Sequence, residues 1–401
     1  MTVPAEGPRG SLMRERVEGG HHRVTYVELF FDLVFVFAIT QVSHTLLHHF
    51  TPLGFLQISI LFLGVWWVWI FTSWITNWLD PEQTPVRVLL FLMMLAGLVL
   101  STSIPKAFED RGLAFGVAFA VLQVGRTAFM YFAVPAEGRA LRVNFIRIGA
   151  WLAVSGVFWI AGGFLHGQGR LVAWGVALAI EYASPAAGFW TPGLGRSSVK
   201  DWSVEGGHMA ERCALFIIIA LGESILVTGA TFADLKWSAE AIGAFLVAFT
   251  GSLAMWWIYF HKGAEAGAHN IAQARDPGAV ARLAYTYLHM PIVAGIVVVA
   301  VGDELVLAHP SGHSDAKTVI SIVGGPLLFL VGTILFKHTI HGRWQLSHMV
   351  GIAALVVLAP FGHYLSPLIL SSITTAILLI VGAWEAISIG DKRTLEKLPV
   401  R

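Results

Sequence analysis

Apolar runs of about twenty residues, separated by short polar breaks, recur along nearly the whole chain. A helix rises 1.5 Å per residue, so about twenty such residues cross the hydrocarbon core of a bilayer. The pattern predicts an all-α integral membrane protein. Twelve segments are expected, roughly 26–47, 53–79, 86–104, 111–133, 143–166, 169–189, 209–231, 239–261, 280–308, 318–337, 346–365 and 367–389. The ninth is long enough to tilt, or to break at Pro291. Residues 1–24 read as a polar cytosolic tail with little order, and 391–401 as a second polar tail.

Two of these segments carry acids where lipid-facing helices do not. Tyr26 to Leu47 has Glu28 and Asp32 one turn apart near its start, and Glu211 to Leu226 has Glu211 and Glu223. An acid inside a span costs about 2.5–3.5 kcal/mol unless it faces protein or water. The two segments also begin two halves that echo each other. Glu28 through Gln41 lies over Glu211 through Ser224, and Trp66-Trp67 over Trp256-Trp257. Val124-Gly125-Arg126 lies over Val331-Gly332-Thr333, Arg147 over His348, and Glu181 over Glu385. Matches in one order predict two parallel six-helix repeats, residues 25–189 and 208–390, joined by a cytosolic linker at 190–207.

At these same helices the chain resembles the bacterial low temperature requirement A family. The resemblance rests on Glu28-Leu29-Phe30-Phe31-Asp32-Leu33-Val34-Phe35-Val36-Phe37-Ala38. It continues at midchain with His208-Met209-Ala210-Glu211-Arg212 and Leu221-Gly222-Glu223-Ser224. Cys213 stands where the family pattern usually has Phe. The resemblance implies an integral membrane protein linked to growth in the cold. A fainter similarity, in Phe31-Asp32 and the residues after it, runs to potassium channels whose first helix carries a Phe-Ser-Asp motif. The serine is missing here, and the second half has Leu215 where an Asp would be expected.

Charge sharpens the picture. Only 13% of the 401 residues are charged, against about 25% in soluble domains. With the N-terminus in the cytosol, eighteen of the 26 Lys and Arg fall on the cytosolic side and five outside. Arg126, Arg147 and Arg212 fall within spans. That bias predicts both termini inside a bacterial plasma membrane, with membrane lipids as the surrounding partner. A net charge of +1 with no basic stripe excludes nucleic acid as a partner. The chain has a single cysteine, Cys213, so neither an intrachain disulfide nor a zinc–thiolate site can form. Residues 1–23 lack the apolar core of a cleavable signal peptide.

The acids in or near spans are Glu28, Asp32, Glu181, Glu211, Glu223 and Glu385. Set against three arginines, they leave a surplus of negative groups to be hydrated, protonated or bound to a cation. Asp32 and Glu223 are the expected carriers, with Glu181 similarly deep. Arg126, Arg147 and Arg212 are the expected charge partners, and Arg126 and Arg147 suit Asp32 and Glu181. Glu28 and Glu211, at helix starts, also suit capping. Trp66, Trp67, Trp256 and Trp257 offer packing between the halves or stacking on a ligand. His44, His48 and His49 cluster at an outer helix end without the Glu of a zinc-protease motif. His289 reads as a satisfied interior residue, with a place in a proton path as the alternative, and Asp303 and Glu304 as a water-exposed pair, with a vestibule that attracts cations as the alternative. No metal, cofactor or catalytic residue is expected, which argues against an enzyme. The expectation is a proton- or cation-coupled secondary transporter for a small ion or small molecule. A cation channel on the same scaffold, or a lipid-interacting protein of cold adaptation, is the alternative, and homo-oligomerisation is left open.

Overall fold

The computed structural model describes residues 11–15, 23–197, 205–261 and 277–396. Most of the N-terminal tail, the middle of the 190–207 linker and the end of the C-terminal tail lie outside the described residues. Where helices begin, the sequence supplies the caps. Thr25 and Glu28 form a capping box that opens α1 (Tyr26–His48). Thr51 accepts from Gly54 N–H, with Pro52 next to it, to open α2 (Pro52–Thr76). There follow α3 (Thr84–Ser103), α4 (Gly112–Ala120), α5 (Arg126–Ala133), α6 (Arg139–Phe164) and α7 (Gly167–Ala186). Next come α8 (Gly206–Ala233) and α9 (Ala239–Phe260), the latter capped by Ser238. The chain ends with α10 (Pro277–Ala281), α11 (His289–Ala308), α12 (Ala316–His341), α13 (Leu346–Leu358) and α14 (Pro367–Glu396). Asp315 caps α12, and Gly342, in the left-handed region at φ 66°, ends it.

Eleven of the twelve expected segments form helices long and apolar enough to cross a membrane. Two of these spans contain π-helical turns. Val121–Gly125 joins α4 to α5, and Arg282–Tyr287 joins α10 to α11. The exception is 169–189. It folds as α7, 20 residues long, but mixes Gln168, Arg170, Glu181, Tyr182 and Ser184 among its apolar positions and is not one of the eleven. The count of twelve is therefore corrected to eleven among the described residues. Two further expectations at the ends change. Residues 11–15 are docked: Met13 bridges Leu79, and Arg14 N–H donates to Trp78 O at 2.8 Å. The C-terminal helix continues to Glu396 rather than stopping near 389.

The chain divides into two compact units. The first holds the chain through Arg212, with residues 276–279; the second begins at Cys213. In the first unit α1 packs on α2 and α3, α3 on α4, α4 on α6, α6 on α7, and α2 on α7. Gly116 lets α4 and α6 approach closely, since a Cβ there would lie 2.3 Å from Trp159 O. Large aromatics fill the interior: Trp66, Trp67, Trp69, Trp159 and Trp174 are all buried. The outward face of α3 (Leu92, Leu95, Val99) is exposed and apolar, as a lipid-facing surface requires. In the second unit α11 and α12 pack tightly, and α9 packs on α14. A Cβ at Gly325 would lie 2.7 Å from Val299 N, so only a small residue permits that α11–α12 crossing.

Candidate functional site

The first unit contains two polar clusters sealed from outside. One joins α1 to the start of α8. Asp32 is fully buried and receives both guanidinium nitrogens of Arg212, Nη1 to Oδ2 at 2.9 Å and Nη2 to Oδ1 at 2.7 Å. The Trp69 indole N–H donates to the same carboxylate at 2.7 Å, and Arg212 also lies over the Trp69 ring. A bidentate guanidinium–carboxylate pair is among the strongest hydrogen-bonded arrangements in proteins. Arg212 Nη1 adds a bond to Glu28 O, which ties the first turns of α8 to α1.

One turn earlier, Glu28 is equally buried. Arg14 Nη2 donates to it at 3.0 Å, and His208 Nε2 lies 2.9 Å from its other oxygen. The tautomer of His208 follows from its second nitrogen. Asn77 Oδ1 accepts a hydrogen bond from Glu205 N–H, so its Nδ2 is the atom facing His208 Nδ1 at 3.3 Å. His208 Nδ1 is then the acceptor, and Nε2 carries the hydrogen that reaches Glu28. Charges balance here: two acids, Glu28 and Asp32, meet two arginines, Arg14 and Arg212.

The second cluster is built differently. Glu181, on α7, is fully buried and receives Gln123 Nε2 at 2.6 Å, Ser155 Oγ at 2.6 Å and Trp159 Nε1 at 3.2 Å. All three donors are neutral. The nearest cation, Arg126, reaches Glu181 only through Gln123, whose Oε1 accepts from Arg126 Nη2. Arg126 is otherwise held by Val68 O at 3.0 Å and Thr72 Oγ1 at 2.9 Å. Gln123 sits within the π turn of the fourth span, a feature common at functional positions.

In the second unit Glu385 meets Lys337 Nζ at 2.6 and 2.7 Å, and Lys337 also donates to Ile258 O. Buried His289 is satisfied, as the sequence suggests: Nε2 faces Tyr259 OH at 2.7 Å and Nδ1 faces Ala284 O at 2.8 Å. Glu223 is half-buried. Glu211, also half-buried, accepts from Val24 N–H at 3.2 Å. Asp303 is buried, and its Oδ2 has no hydrogen-bond partner among the described residues.

Comparison with known proteins places the chain. The family described as bacterial low temperature requirement A protein (LtrA) matches residues 23–383. The chain belongs to the LtrA family. An uncharacterized protein of Rhizobium meliloti (strain 1021) is 39% identical over 373 residues, covering 92% of this chain and 91% of its own length. No solved structure matches this LtrA protein.

Several expected roles shift in this LtrA member. Arg212, not Arg126 or Arg147, is the partner of Asp32. Arg147 touches no acid among its hydrogen bonds; it holds Leu194 O at 2.5 Å and Asn144 Oδ1 at 3.1 Å. The expected surplus of acids shrinks, because Arg14 of the tail and Lys337 at the end of the tenth segment, neither of them among the expected charge partners, pair with Glu28 and Glu385. Trp66 and Trp67 are buried, whereas Trp256 and Trp257 are 42% and 43% exposed, stacked on Phe260 and His261. The two pairs are therefore not equally buried. Asp303, expected in water, is 6% exposed. His44, His48 and His49 are exposed, and no metal-holding group of three appears among the described residues. Gln123 escaped the sequence reading altogether; its only trace was a place three residues before Arg126.

Proposed function

We propose that this LtrA protein is a proton- or cation-coupled secondary transporter in which Glu181 is the proton-exchanging group of the first unit. The carrying observation is that a fully buried carboxylate is held by neutral donors alone. Such a group can change protonation without leaving an orphan. Ser155 Oγ lies 3.1 Å from Ala177 O as well as 2.6 Å from Glu181. When Glu181 is ionised, the Ser155 hydroxyl donates to it. When Glu181 is protonated, the hydroxyl turns to Ala177 O and accepts from the acid. Arg126, acting through Gln123, stabilises the ionised form across one intervening amide.

Asp32 does not suit that work, although it was an expected carrier. Its oxygens are both engaged by Arg212, and protonating it would leave a buried guanidinium without its counter-charge. We assign Asp32–Arg212 and Glu28–Arg14 to holding the entrance of α8. The finer architecture is part of the same proposal: α7, 20 residues long, crosses as the sixth helix of the first repeat, which gives two parallel six-helix repeats with both termini cytosolic. Its support is the ordered set of sequence matches and the skew of Lys and Arg. The family name points to growth in the cold as the setting.

The test is proton flux in proteoliposomes of full-length protein, driven by a potassium diffusion potential and read with an internal pH dye. Glu181→Gln is expected to slow flux by roughly an order of magnitude or more while the protein folds normally. Unchanged flux in that variant would remove Glu181 from the mechanism. Flux that is unitary and non-saturating in planar bilayers would replace the transporter with a channel.

A further inference from the structure

Asp303 belongs to neither cluster above. It lies on α11, five residues before the helix ends, and is more than nine-tenths buried. Its Oδ2 has no hydrogen-bond partner, and no basic side chain comes within ion-pair distance among the described residues. It opens on a cavity of about 20 Å³ within the second unit. That volume holds one water or one small ion and excludes an organic substrate.

Hydroxyl-bearing residues line the same cavity. Ser371, Thr374 and Thr375 line it from α14, and Gly251 from α9 leaves room beside Thr375. Pro326 and Ile322 of α12 also line it, and Met255, Val299 and Leu378 form its apolar part. Proline has no N–H, so Pro326 cannot close the helix bond to Ile322 O, and the carbonyl is spared for another partner. Ser321 Oγ, adjacent in sequence, is buried without a hydrogen bond. One carboxylate, several hydroxyls and a spared carbonyl form a hard-oxygen set. Such a set suits an alkali cation stripped of its water, and it has no imidazole or thiolate for a transition metal.

We propose that Asp303 and the hydroxyls of α14 form a binding site for a single monovalent cation of sodium size, with protons competing for the same carboxylate. A lone buried carboxylate needs a counter-charge, and the cavity offers the space and the oxygen ligands to hold one. This site is separate from Glu181, so it stands even if Glu181 moves no proton.

The test is equilibrium binding of ²²Na⁺ to purified full-length protein in nanodiscs, with a choline buffer as the blank. One saturable site per chain is expected, displaced by lithium and by lowering pH. Asp303→Asn is expected to weaken binding by roughly a hundredfold. Gly251→Ala keeps the charge but places a methyl 3.3 Å from Thr375 Oγ1, and several-fold weaker binding is expected. Glu82→Gln, at an exposed acid in the turn between α2 and α3, should bind ²²Na⁺ as the natural protein does. Absence of saturable binding in the natural protein, with no shift in melting temperature between sodium and choline, would overturn the site and leave a protonated structural acid. Binding that survives in a folded Asp303→Asn protein would equally overturn it.

Discussion

Asp32 and Glu181 are both fully buried acids of the first unit, yet their surroundings are opposite. Asp32 is gripped by a bidentate arginine and an indole. Glu181 is held by an amide, a hydroxyl and an indole, with its arginine one residue removed. A direct ion pair fixes both partners, because separating them strands a charge in a low-dielectric interior. Neutral donors can be rearranged at small cost, because a hydroxyl can turn from donor to acceptor. Burial alone therefore does not mark an acid as functional. The nature of its donors does.

The comparison can be broken in several ways, the most drastic first. Arg212→Leu leaves Asp32 ionised and unmatched and is expected to cost about 3–5 kcal/mol. Asp32→Leu should do the same to Arg212. The double variant should lose clearly less than the sum, which thermal unfolding in detergent would reveal as a coupling energy. Simple additivity would mean that the pair is no joint at all. Lys337→Met in the second unit is expected to be milder, about 2–3 kcal/mol, since Glu385 is 9% exposed and can find other neighbours. Glu181→Gln resembles the protonated acid in shape and should cost about 1 kcal/mol or less, despite its effect on flux. A loss as large as that of Arg212→Leu would erase the distinction drawn here.

An effect of similar size is expected outside the membrane-spanning segments. Asp315 caps α12 through Thr318 N–H at 2.8 Å, and bonds from the side chain and backbone of Thr318 hold its carboxyl below the usual range. A lowered pKa in the folded state stabilises above the unfolded value and is lost as pH falls. Asp315→Ala should therefore cost about 1 kcal/mol near neutrality. The gap between the two proteins should close as pH drops through the capped carboxyl's titration. A gap that persists in acid would show that the cap acts through shape rather than charge.

Most spans were legible because run length alone marks a membrane helix. Partnerships were less so. Asp32 and Arg212 stand 180 residues apart, and nothing in local spacing joins them. Arg14 was assigned to a polar tail because its neighbours are polar, and only the fold returns it to Glu28. Lys337 stands last in its expected segment, 318–337, whereas α12 runs on to His341 and so carries the lysine inside the helix. Asp303 and Glu304 look like one polar step, but adjacent helical residues point about 100° apart. One is buried and the other half-exposed. α7 was counted as a span because it is long enough; Arg170 and Glu181 lower its apolarity below that of the other eleven.

The π turn at Val121–Gly125 amounts to a single surplus residue threaded into an otherwise regular rod. Removing one amino acid there would restore the ordinary winding and swing Gln123 away by roughly a quarter-turn. Glu181 and Arg126 would then lose their go-between, though neither had been touched. A deletion so slight, at a position that is not ionisable, would silence the conversation between an acid and a base while leaving the helices themselves standing.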